Sequence, residues 1–432
     1  MKPKVLVATT FCWYPTARLA MALAAAGFTV DMLCPRRHPL HKTTLARKTH
    51  RFNGLTPLRS LRAAIASAEP DLIVSGDDLA TRHLHRLYDH ERQDGKTGSP
   101  IRALIERSLG AAESFPISYA RAAFIELAEQ EGIRNPKTEV IESFDDFKDW
   151  IIRNGFPAVL KANGTSGGDG VRVVRTVDEA ERAFRFLQAP PRFLRAAKHA
   201  LLDDDLTLIS PVVRREKFVV NAQAFVDGKE ATSAVACWNG KVLAALHFEV
   251  INKASSAGHA TVVRLIENPE MLAAAEKMVR RLRLSGVHGF DFMLEEQTGN
   301  AYLIEINPRA TQVGHLAFGL GRDIPAALYA AVSGKEVQPA PKVTEKDTIA
   351  LFPQEWIRDP ESPFLRSAYH DVPWEEPELV HDCVNNWQKQ NGWYARERKQ
   401  ASSTVPSRNR VSTPVKSASS QSPAVGTESG SK

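Results

Sequence analysis

The stretch KANGTSGGDGVRVV, residues 161–174, most narrows the folds open to this chain. Four glycines (Gly164, Gly167, Gly168 and Gly170) fall within seven positions, just after a lysine, Lys161. The flanking segments PAVLKA and VRVV have strand character. A P-loop runs from a strand into a helix and closes on Lys-Ser or Lys-Thr, and neither feature stands here. The loop therefore reads as a glycine-rich hairpin turn. Because glycine adopts φ > 0 without strain, such a turn can lie over a nucleotide and offer several N–H groups to its phosphates. Lys161 would add positive charge from the strand below. A flexible surface hairpin beside an unrelated lysine fits the same letters, so the loop alone does not choose.

The residues before it have a different rhythm. VLVAT, TVDMLC and DLIVSG are apolar strands separated by ARLAMALAAAG and LRSLRAAIASA, both of helical period. This β-α-β-α-β order predicts a parallel sheet covered by helices over roughly the first hundred residues. The turn after the first strand, TTFCWYPT, holds no glycine. A dinucleotide fingerprint needs glycines there, so that role is excluded, although loops at strand carboxyl ends commonly hold small ligands. Further on, the helix SYARAAFIELAEQEGI opens a second unit, and 190–207 reads as an inserted helix with its own loop. From about 208 the sequence turns β-rich, beginning LISPVV, with Asp227-Gly228 and Asn239-Gly240 marking hairpins.

Composition limits partners and compartment. The net charge is +6, but residues 396–432 carry seven basic and two acidic side chains, leaving the rest near neutrality. That tail is rich in Ser and Pro and lacks aromatics, so it is expected to be disordered. The basic stretch RRHPLHKTTLARKTHR (36–51) has little aromatic interleaving, which argues against nucleic acid; it suits a solvated loop or an anionic small molecule at the mouth of the first sheet. No apolar run approaches a membrane span. The N-terminus reads as a strand, and the four scattered cysteines favour a reducing compartment, so a cytoplasmic enzyme is expected.

A second constellation lies in GFDFMLEEQTGNAYLIEINPR. Tyr302, Ile304 and Ile306 alternate with Leu303, Glu305 and Asn307, predicting one apolar face and one of oxygen ligands. If 296–300 joins the two strands, Asp291 lies opposite Glu305. Two such carboxylates repel unless a cation sits between them. Two carboxylates plus the Asn307 amide suit Mg²⁺ shared with substrate phosphates better than zinc. A solvated hairpin face is the competing reading. Arg309, two residues on, is placed to contact an anion.

Together these residues resemble the ATP-grasp superfamily, in particular its carboxylate–amine ligase and biotin-carboxylase branch, over about 116–335. FPAVLKANGTSGGDGV looks like the family's strand, lysine and phosphate flap. VNAQAFVDGKE looks like its adenine hinge, and GFDFML with YLIEINPR looks like its metal strands. The resemblance implies an α/β protein: an N-terminal parallel sheet domain (1–115), α+β nucleotide lobes at 116–205 and 206–340, a C-terminal extension (341–395) and a tail (396–432). It implies that Lys161 contacts the ATP phosphates under a flap formed by Gly164, Gly167, Gly168 and Gly170. Gln223 and the backbone of Phe225 and Val226 would hold adenine, and Glu230 the ribose. Asp291, Glu305 and Asn307 would bind Mg²⁺, with Mn²⁺ as an alternative, and Arg309 would stabilise the transferring phosphoryl group.

The chain departs from the family pattern at three places. Ala224 follows the hinge glutamine where an acid is usual, Arg121 stands where a lysine is common, and the 190–207 insert is long. The expected activity is ADP-forming activation of a carboxylate as an acyl phosphate for attack by an amine. Bicarbonate activation and a non-catalytic ATP binder are the alternatives. Substrates would be small molecules, with the Thr9–Thr16 loop, Gln312 and His315 as candidate lining; oligomeric state is not readable.

Overall fold

In the computed structural model, residues 2–93, 99–163, 170–189, 218–255 and 258–385 are described, all within one compact unit, Met1–Asn385. The strands β1 (Lys4–Ala8), β2 (Thr29–Cys34), β3 (Lys48–Arg51) and β4 (Leu72–Ser75) form a parallel sheet of order β3-β2-β1-β4. Helix α1 (Tyr14–Ala25) covers one face, while α2 (Pro57–Ala68), α3 (Asp78–Gln93) and α4 (Pro100–Leu109) pack on the other. Alternation along β1 explains the two layers. Val5 and Val7 join the core with α1, whereas Leu6 and Ala8 join the core with α2, α3 and α4.

After α5 (Arg121–Gln130) comes a small antiparallel sheet of β5 (Thr138–Ile141), β6 (Ala158–Ala162), β7 (Val171–Val174) and β8 (Val220–Ala224), in the order β5-β8-β6-β7. Its outer face buries Leu160 and Ala222 against Phe147 and Trp150 of α6 (Phe144–Asn154) and Phe184 of α7 (Val177–Gln188). Helix α6 starts on a capping box in which Ser143 and Asp146 satisfy each other's backbone N–H. The alternate residues Lys161, Asn221 and Gln223 therefore point to the inner face.

The large sheet contains β9 (Gly228–Trp238), β10 (Lys241–Lys253), β11 (Ala260–Ile266), β12 (Gly286–Glu295), β13 (Ala301–Asn307), β14 (Thr348–Ala350) and β15 (Tyr369–His370), ordered β13-β12-β9-β10-β11-β14-β15. Helix Pro269–Leu282 covers one face through Met271, Met278 and Leu282. The other face shares a continuous core with the first sheet, in which Ala234, Leu246 and Phe248 join α1 and helix Ile324–Ser333.

Two local expectations need correction. Asn239-Gly240 is a two-residue turn between β9 and β10, with both residues at positive φ, as right-handed strand twist favours. Asp227-Gly228 is no hairpin, because β8 belongs to the small sheet and β9 to the large one. Gly228 is required there by space: a Cβ would stand 2.0 Å from the Leu294 carbonyl oxygen. The predicted apolar face of β13 also shifts. Ile304 is an extra residue between the pairs Asp291–Glu305 and Phe292–Leu303. This bulge sends Leu303 and Ile306 to the same core and leaves Tyr302 and Ile304 only half-buried.

Candidate functional site

The inner face of the small sheet meets the edge of the large sheet at a group of charges. Asp291 and Glu305 pair directly across β12 and β13. Thr232 of neighbouring β9 donates its hydroxyl to Asp291 Oδ1 at 2.8 Å, and the Asn307 amide donates to Oδ2 at 2.8 Å. At the start of α5, Arg121 donates Nε to Glu305 Oε2 at 2.9 Å and a terminal nitrogen to the Ala162 carbonyl at 2.5 Å. One side chain thus joins the end of β6 to the carboxylate strand. Burial pushes Asp291 above the usual carboxylate range, and repulsion from Glu305 adds to it. Burial would raise Glu305 as well, but Arg121 and then Lys161 outweigh it and hold that carboxyl low.

Lys161 is 7% exposed, and burial pushes its ammonium down to about 8 despite Glu305 and Asp291 nearby. Among the described residues no carboxylate pairs with it. Beyond the carboxylates, Arg309 donates Nε to Asp78 Oδ2 at 3.1 Å and a terminal nitrogen to Asn307 Oδ1 at 3.2 Å. Asp78 begins α3, so Arg309 ties the first sheet to this charge group. Two more bonds support the tie, from Thr81 Oγ1 to the Pro308 carbonyl (2.8 Å) and from the Ala310 N–H to the Ser75 carbonyl (3.0 Å).

A model of the ATP-grasp domain family matches residues 206–313. Among curated proteins, the chain is 24% identical over 266 residues to the formate-dependent phosphoribosylglycinamide formyltransferase of Bacteroides thetaiotaomicron, covering 59% of this chain and 58% of that protein. The enzyme of the same name from Methanocaldococcus jannaschii is 29% identical over 134 residues, 31% of each chain. The chain thus spans less than two thirds of these relatives' length. An N5-carboxyaminoimidazole ribonucleotide synthetase solved with ADP has a TM-score of 0.56 at 14% identity, over 79% of this chain and 80% of that one. The biotin carboxylase domain of a Hydrogenobacter thermophilus 2-oxoglutarate carboxylase, solved with MgADP, reaches 0.55 at 15%, over 79% and 72%.

Residues 206–313 thus match the ATP-grasp domain family.

Against the ATP-grasp expectations, the structure brings Lys161, Arg121, Asp291, Glu305, Asn307 and Arg309 together. Glu230 stands on β9 and is exposed, held by Lys253 at 2.5 Å. Phe225 and Val226 form the half-buried link between β8 and β9. Gln223 is buried and donates its amide to Thr138 at 2.9 Å. Gly170 accepts a bond from the Ala162 N–H at the mouth of the β6–β7 hairpin. Gly164, Gly167 and Gly168 lie outside the described residues, as do LISPVV, the 190–207 insert and the tail.

The donor set fits a hard divalent cation. It is all oxygen, its two carboxyls face each other, and a quarter of the Glu305 side chain stays open. Substrate phosphates and water would have to complete the shell. Asn307 would serve through Oδ1, which here accepts from Arg309.

The candidate substrate-lining residues fare differently. Thr9 and Thr10 are buried, and both donate hydroxyls to Asp77, at 2.7 and 2.9 Å. Gln312 donates to the Ala260 carbonyl and accepts from Gln354. His315 bonds Asp371 through Nε2 at 2.6 Å, and Arg18 of α1 reaches the other Asp371 oxygen at 2.6 Å. Asp371, Asp78 and Thr232 lie far from their partners in sequence, and no spacing rule points to them. Among the described residues no helix is long and apolar enough to cross a membrane.

Proposed function

We propose that this chain is an ADP-forming ligase that phosphorylates a small carboxylate with ATP and passes the acyl group to an amine. The observation that carries the reading is the convergence of three cations, Lys161, Arg121 and Arg309, on a facing pair of carboxylates between two sheets. Such preorganised charge suits phosphoryl transfer, where catalysis is mostly positioning and charge neutralisation. Lys161, already desolvated, would hold the phosphates from the small sheet beneath the Gly164–Gly170 turn. The Phe225–Val226 link would take adenine through its backbone, and Glu230 the ribose hydroxyls. Asp291, Glu305 and Asn307 would hold Mg²⁺, which when bound neutralises phosphate charge.

In the first step a substrate carboxylate oxygen bonds to the γ-phosphorus as the bridge oxygen to ADP leaves. In the second, an amine nitrogen bonds to the acyl carbon, phosphate departs and the amine loses a proton. Arg309 would stabilise the transferring group while its bond to Asp78 keeps the first sheet in register with the site. No protein nucleophile is needed. Formate is the first carboxylate to try, because the curated relatives are named as formate-dependent.

The test is nucleotide product analysis with Mg·ATP and pooled carboxylates and amines, beside an Asp291→Ala/Glu305→Ala variant. Pool-dependent ADP that vanishes in the variant is expected. AMP as the product contradicts the reading.

A further inference from the structure

We infer that the first sheet carries a second ligand site, a pocket for the phosphate group of a small phosphorylated molecule, at the carboxyl end of β3. Residues 32–68 contain eight Lys and Arg and no Asp or Glu. Only two of those cations meet a carboxylate among the described residues: Arg47 pairs with Asp31, and Arg62 with Glu91. Arg36, Arg37, Lys42, Lys48, Arg51 and Arg59 do not, in a body whose overall charge is close to balanced.

The fold gathers part of this excess around an open groove of about 610 Å³. Arg51 and His50 come from the end of β3, and Arg59 from the first turn of α2. Thr49, Thr56 and Ser60 line the same space, and no lining residue is acidic. His50 Nε2 is buried without a hydrogen-bond partner. Thr56 caps α2 without a side-chain bond, so the positive end of that helix dipole adds to the same field. None of these residues belongs to the charge group around Asp291 and Glu305.

The chemistry of the lining selects the ligand. Two guanidinium groups provide forked donors matched to phosphate oxygens. The threonine hydroxyls suit the remaining oxygens or a sugar. Apart from His50 the pocket offers no ring on which bases could stack, which disfavours single-stranded nucleic acid. The volume is that of a small-molecule site. At the far side of the same sheet, the carboxyl end of β4 meets the segment after β13 through the Ser75 carbonyl, which accepts from the Ala310 N–H.

The experiment is calorimetric titration of the full chain with inorganic pyrophosphate, in EDTA and at constant ionic strength. Three proteins are compared: wild type, Arg51→Gln/Arg59→Gln, and Lys161→Gln. Arg59→Gln alone serves if the double variant melts early. Saturable binding that weakens at least about tenfold in the arginine variant and survives Lys161→Gln is expected. Absence of saturable binding, or binding that does not need the arginines, overturns the inference. Loss confined to Lys161→Gln would assign the anion to the nucleotide cleft, so this site and the ligase reading fail separately.

Discussion

Asp291 stands directly opposite Glu305 across β12 and β13, yet their surroundings drive the two carboxyls in opposite directions. Arg121 and Lys161 favour the charge on Glu305, while burial and that same charge disfavour it on Asp291. The pair is thus unbalanced without a cation. Replacing Asp291 with Asn keeps the shape and removes the repulsion. The metal-free protein is expected to gain roughly 0.2–1 kcal/mol in denaturant melts, the size of an opposed like-charge pair. The same variant should lose the thermal stabilisation that Mg²⁺ with ADP gives to wild type.

Lys161 gives the nucleotide site a pH dependence. Its folded-state value of about 8 lies below the ordinary lysine value of 10.5, so the apo protein sheds that proton unusually early. Phosphates bind the ammonium form, hence ATP affinity should fall as pH rises through about 8. Titration of ATP binding from pH 7 to 9.5 measures this. Lys161→Met should bind weakly at every pH and flatten the profile.

The C-terminal segment is fastened through Asp371, which is buried between Arg18 and His315. Breaking a buried pair by removing one partner costs about 3–5 kcal/mol, so Asp371→Ala should be strongly destabilised. Burial would raise this carboxyl, but His315 and Arg18 hold it below the usual 3.8. Its folded pKa is depressed, so its contribution is full above that value and fades as pH falls through the folded one. Urea melts of both proteins, repeated at decreasing pH below 4, should converge.

Gly228 lies where the link from the small sheet enters β9, against the Leu294 carbonyl. Alanine cannot fit without moving β12, which carries Asp291. Gly228→Ala is expected to cost at least about 1–3 kcal/mol. Circular dichroism melts check the loss, and metal-dependent ADP binding should weaken with it.

Features carried by short-range pattern were legible in the sequence. The β-α-β rhythm gave the parallel sheet, Asn239-Gly240 gave its hairpin, and a 296–300 connection set Asp291 against Glu305, a pairing the strands reach through the bulge at Ile304. The bulge at Ile304 escaped, because an extra residue in a ladder leaves no mark in a run of apolar letters. Asp227-Gly228 misled for a related reason: a turn dipeptide shows that the chain bends, not which sheet receives it. Thr9 and Thr10 looked like ligand contacts until Asp77, 67 residues beyond Thr10, took their hydroxyls. The shared core of α1 with β9 and β10, and the addition of β14 and β15 to the large sheet, depend on contacts between distant segments.

An ADP-forming ligase of this kind requires that a carboxylate oxygen attack the γ-phosphorus of ATP. The most direct test supplies the turnover-supporting carboxylate, found by splitting the pools, with both oxygens as ¹⁸O. The phosphate released with ADP is then weighed by mass spectrometry. One ¹⁸O atom per phosphate is the predicted result, because the acyl phosphate breaks at its carbon. Unlabelled phosphate accompanying ADP would contradict the account.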